Sequence, residues 1–98
     1  MDDQGKAIGD GLYKYVRFAD GKVLLGLAWV VTHKFLADLK TDAPPFAAGT
    51  IKVRDGRWCM ESGGSTTLKL PQRASDEKFI SAELGAGFRH DPELWYGL

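Results

Sequence analysis

The sequence predicts an α+β fold: an antiparallel sheet of about five strands with two helices packed on one face, in the order ββαβββα. A small five-stranded β-barrel is the alternative closure of the same strands. Two kinds of observation predict it. Two Asp-Gly pairs, Asp20-Gly21 and Asp55-Gly56, each sit between apolar, aromatic-rich runs. Such a pair tolerates positive φ at both positions, which a two-residue hairpin turn requires. Helix-start signals then fall at Thr32 and at Ser75, each followed by apolar residues about one turn apart.

Residues 1–10, with three Asp and two Gly, read as a flexible lead, and residues 11–98 as a single domain. The first hairpin is expected over Leu12–Ala19 and Lys22–Val30. A two-residue turn pairs Phe18 with Val23, Val16 with Leu25, Lys14 with Leu27 and Leu12 with Trp29. That face is apolar apart from Lys14 and is expected to meet the core, leaving Tyr13, Tyr15 and Arg17 on the other face. Tyr15 then lies opposite Gly26, where its ring can cover bare backbone.

Thr32 is positioned to cap a helix carrying Phe35, Leu36 and Leu39, with Val31 and Leu36 as a hydrophobic staple. Pro44 and Pro45 end it. The second hairpin, Thr50–Arg54 and Arg57–Glu61, puts Val53, Trp58, Ile51 and Met60 on a core face. Its other face carries Lys52, Arg54, Arg57, Cys59, Thr50 and Glu61. Ser62–Ser65 reads as a turn and Thr66–Leu70 as a fifth strand stopped by Pro71. Ser75-Asp76-Glu77 opens a helix that Gly85 or Gly87 closes, although Phe79–Leu84 also suits a strand. Asp91-Pro92-Glu93 opens one last short turn.

The composition, 44% apolar and 27% charged with zero net charge, is that of a soluble globular domain. The longest charge-free apolar run, Val23–Thr32, is too short to span a bilayer, so no membrane partner is expected. The polar N-terminus lacks the pattern of a signal peptide, and a single cysteine suits a reducing compartment, which points to the cytoplasm. Charge is segregated: residues 12–70 hold nine Lys/Arg against five Asp/Glu, with a small acidic excess on either side.

The sharpest candidate site is the basic face of the second hairpin. Arg54 and Arg57 oppose each other across the turn, and like charges so placed repel. With Lys52 beside them they suit an acidic protein, an anionic ligand or a nucleic-acid backbone, to which Tyr13 and Tyr15 could add stacking. The plainer alternative is that the arginines splay into water or pair with acids of the C-terminal third.

Trp29, Phe35 and Trp58 are candidates to line a pocket between the sheet and the first helix, or simply to be core. Leu94, Trp95 and Leu98 make an apolar tail that docks either on its own core or on a second copy in a dimer. Cys59, with His33 or His90, has the makings of a nucleophile–base pair, but a lone cysteine is more commonly a small buried hydrophobe. No metal-ligand spacing occurs and no cofactor is expected. Ser62–Thr67 lacks the spacing of a phosphate-binding loop.

The pattern favours a non-enzymatic binding or adaptor protein that self-associates, the kind of short domain that accessory genes of mobile elements encode. A small-molecule binder and a small enzyme using Cys59 are the alternatives.

Overall fold

A computed structural model describes residues 8–61 and 68–95. The elements are β1 (Gly11–Phe18), β2 (Val23–Leu27), α1 (His33–Asp38), β3 (Pro45–Arg54), β4 (Arg57–Glu61), α2 (Asp76–Leu84) and β5 (Arg89–His90), followed by a 3-10 turn at Pro92–Trp95. The fold is α+β. Its five strands form one sheet in the order β2-β1-β3-β4-β5. The first three pairings are antiparallel and β5 runs parallel to β4, so the sheet is mixed and stays open rather than closing into a barrel.

The element order therefore differs from ββαβββα. Among the described residues the fifth strand is Arg89–His90, after α2, and residues 68–70 of the expected Thr66–Leu70 strand form none. Residues 62–67 lie outside the described residues; Leu68 and Lys69 form a turn, with Lys69 at φ 58°, and Leu70 makes only an isolated bridge. Pro71 has no N–H to extend a ladder, and its carbonyl instead accepts the Ala48 N–H at 3.1 Å.

The first hairpin turns through three residues, Ala19, Asp20 and Gly21. The Phe18 N–H donates to the Lys22 carbonyl at 2.8 Å, and Gly21 takes φ 92°. An αL glycine closing a three-residue loop uses the same Asp-Gly pair as a two-residue turn. Register moves by one residue: Arg17 faces Val23, Tyr15 faces Leu25 and Tyr13 faces Leu27. Val23, Leu25 and Leu27 now share the face of Tyr13 and Tyr15, and α2 packs over it, so both tyrosines are buried, not surface. Tyr15 does lie over a glycine, but it is Gly49 of β3, and Gly26 sits instead beneath Val31.

Between β3 and β4, Asp55 and Gly56 take φ 52° and 74°, and Arg54 faces Arg57 across them.

The helices lie on opposite faces of the sheet, not on one. α2 sends Ile80 and Leu84 against Tyr13, Tyr15, Val23, Ile51, Val53 and Trp58. α1 sends Leu36 against Val16, Phe18 and Ala48. The reason lies in β1 and β3, which carry apolar residues on both faces, so both must be covered. α1 begins where the Thr32 hydroxyl accepts the Phe35 N–H at 3.0 Å. α2 ends at Gly85, whose φ of 86° suits glycine. Among the described residues no helix is long and apolar enough to cross a membrane.

Candidate functional site

Lys52, Arg54 and Arg57 share one sheet face, but the chain itself covers much of it. Lys52 is only 7% exposed, and its Nζ lies 3.4 Å from the Leu94 carbonyl. Arg57 donates to Asp91 Oδ2 at 3.1 Å. Asp91 also accepts the Glu93 N–H through Oδ1, so one side chain both shapes the 3-10 turn and neutralises Arg57. Arg54 remains exposed. Tyr13 and Tyr15 lie on the other face, so no stacking platform joins this cluster. The Tyr13 hydroxyl donates to the Gly9 carbonyl at 2.9 Å.

A groove of about 530 Å³ opens beside Leu12, Lys52 and Arg54, with Asp10, Asp55 and Glu61 on its rim. Asp10 accepts the Asp55 N–H at 2.9 Å. Two cations against three carboxylates leave the rim without a dominant sign, which does not suit a polyanion.

Trp29, Phe35 and Trp58 do not meet in one pocket. Trp58 is fully buried under α2, and its ring lies 4.6 Å from the His90 ring. Phe35 belongs to α1, on the opposite side of the sheet. Cys59 is buried on the Lys52 face. His33 donates from Nε2 to the Gly49 carbonyl at 2.9 Å and so latches α1 to β3, while His90 Nδ1 lies 3.0 Å from Glu77 on α2. Among the described residues no three His, Cys, Asp or Glu side chains gather where a metal ion could sit. Leu94 is buried against its own chain; the Trp95 side chain and Leu98 lie outside what the structure describes.

A buried polar network went unread in the sequence. Asp76 is fully buried at the start of α2. Its Oδ2 accepts the Tyr15 hydroxyl at 2.6 Å and the Arg73 N–H at 3.0 Å, and its Oδ1 accepts Arg17 Nη1 at 3.0 Å. Arg17 also donates to Ser75 Oγ at 3.1 Å. Its guanidinium sits 4.6 Å from the Phe46 ring and 4.3 Å from the Phe79 ring. Burial, then the bond to Asp76, pushes the Tyr15 hydroxyl far above the ordinary tyrosine range. The signal available was Arg17 in alternation with Tyr13 and Tyr15, read there as a solvent face.

The exposed large apolar side chains concentrate elsewhere. Trp29 is 72% exposed, Val30 68%, Phe35 52% and Leu39 59%. All four fall within residues 29–39, in α1 and the segments flanking it. Leu36 points into the core and His33 is tied to β3, which leaves Phe35 and Leu39, one helical turn apart, facing outward. Lys34 and Asp38 form an ion pair of 2.7 Å on the adjacent row. Behind them Lys40 bridges Asp20 at 2.9 Å and Asp42 at 2.5 Å, holding both carboxyls below their usual range.

These features define an open, mixed α+β sheet with a core on each face and an apolar surface segment over residues 29–39. No protein-family model, no curated protein and no solved structure matches this chain.

Proposed function

We propose that this protein is a non-enzymatic binding or adaptor protein of the cytoplasm that works as a self-associated unit. The observation that carries the reading is the exposure of Trp29, Val30, Phe35 and Leu39, all within residues 29–39. Apolar side chains scattered singly over a surface are ordinary, but four large ones on one short segment favour an interface. Zero net charge supports the same reading, because two copies approach without long-range repulsion. The groove beside Lys52 does not carry it, since its rim mixes both signs.

Sedimentation velocity from micromolar to millimolar protein tests the proposal. The expected result is an average mass that climbs from 10.8 kDa toward twice that value, and a Phe35→Glu/Leu39→Glu variant that stays monomeric. A wild-type monomer at every concentration overturns self-association. A dimer indifferent to that variant overturns the choice of surface.

A further inference from the structure

We infer that α1 pairs with α1 of a second copy in antiparallel orientation, with Lys34 of each chain meeting Asp38 of the other. The inference rests on the self-association proposed above and specifies its geometry.

The argument begins with what α1 leaves outward. Leu36 and His33 hold the helix to the sheet. Phe35 and Leu39 are then an apolar row one turn long, and Lys34 and Asp38 a charged row of the same length beside it. The charged row is polar along its length, with the cation near the helix start and the anion near its end. Both side chains are more than half exposed, 58% and 63%.

A homodimer with a two-fold axis presents the same patch twice. When two such helices pack antiparallel, with that axis normal to the plane they share, each row stays on its own side of the contact and reverses direction. Phe35 then meets Leu39 of the second copy, and Leu39 meets its Phe35. Lys34 meets Asp38 and Asp38 meets Lys34, so four charges alternate in sign around a square that keeps both internal pairs. A parallel pair has its two-fold axis along the helices, which carries the charged rows to opposite sides of the contact and sets each against the partner's apolar row. The charge pattern of α1 is therefore self-complementary in one orientation only.

A second copy of this chain is the occupant this surface matches best. A foreign acidic or basic partner would satisfy one end of the charged row and oppose the other. The interface is small, so the association belongs to the weak, transient class.

Charge reversal tests the orientation separately from self-association. Sedimentation equilibrium is run on wild type, Lys34→Glu, Asp38→Lys, the Lys34→Glu/Asp38→Lys double variant, and an equimolar mixture of the two single variants. Each single variant sets two like-charged contacts across the dimer and is expected to raise the dissociation constant about tenfold. The double variant restores alternation and is expected to return close to wild type. The mixture is expected to form heterodimers in preference to either homodimer. In the heterodimer the carboxylate introduced at position 34 of one chain meets the ammonium introduced at position 38 of the other. Circular dichroism of each variant in its monomeric range checks that α1 is intact.

Single variants that dimerise as tightly as wild type overturn the antiparallel pairing while leaving self-association standing. Weakened single variants that neither the double variant nor the mixture rescues overturn it as well. A wild-type chain that never dimerises defeats both proposals at once.

Discussion

Asp76 is the residue whose environment departs most from its expected role. A carboxylate in the first turn of a helix ordinarily faces water and favours the helix dipole. Here it is buried, and removal from water costs several kcal/mol unless the charge is paired and hydrogen-bonded. Arg17, Tyr15 and the Arg73 N–H supply those partners. Tyr15→Phe deletes one bond to a charged acceptor without changing shape, and is expected to cost about 1.5–3 kcal/mol in urea denaturation at neutral pH. The same variant has a pH signature. The folded protein holds Tyr15 protonated far above its unfolded value. Its contribution is therefore complete below about pH 10 and declines as pH rises beyond that, because only the unfolded chain readily gives up the proton. The wild type is expected to lose stability more steeply than Tyr15→Phe above about pH 10. Parallel alkaline limbs would show that another group is responsible. None of this was legible at the residue level, because whether the face of Arg17 and Tyr15 is a core depends on whether a helix packs over it.

At the element scale, register turns on one loop residue. Asp20-Gly21 is compatible with a two-residue turn or with a three-residue loop closed by an αL glycine, and the dipeptide alone does not choose. Two other glycines of the sheet lie under close packing. A Cβ on Gly26 would lie 2.7 Å from Val31 Cγ2, and one on Gly49 would lie 2.9 Å from the Tyr15 ring. Both glycines are matched to a neighbour's bulk in the register found. Gly26→Ala is expected to destabilise by about 1–3 kcal/mol through overpacking. Combined with Val31→Ala it is expected to cost less than the two single changes together, because the smaller side chain makes room. A double-mutant cycle in urea reads the coupling, and strict additivity would refute the contact. Asp55 and Gly56 present a simpler case: both residues take positive φ, the two-residue geometry that few other dipeptides accept. Residues 68–70, the described part of the expected Thr66–Leu70 strand, form a turn and a single bridge for another reason. A short run of β-formers has no sheet edge to join until tertiary packing supplies one, and β5 occupies the edge beside β4.

At the scale of the molecule, two apolar clusters share one sheet. Val16 and Phe18 of β1 point to α1, while Tyr13 and Tyr15 of the same strand point to α2. Loss on one side should therefore be felt on the other. Leu36→Ala is expected to cost about 2–5 kcal/mol. Amide protection of Ile80 and Leu84, across the sheet, is expected to fall in step, as measured by hydrogen exchange. Protection there that stays at the wild-type level would mean that the two faces unfold separately. By itself the sequence determined the α+β class, the Thr32 cap of α1, the start of α2 and the shared face of Lys52, Arg54 and Arg57. Those features rest on local chemistry: the Thr32 hydroxyl, apolar spacing and a dipeptide at positive φ. Only the tertiary structure decided that both sheet faces are cores, that Asp91 and the last turn cover the basic cluster, that Trp58 and Phe35 lie on opposite sides, and that Trp29, Phe35 and Leu39 are left to solvent. Those outcomes depend on which segment reaches which face, and that is set by the competition of all apolar residues for one sheet.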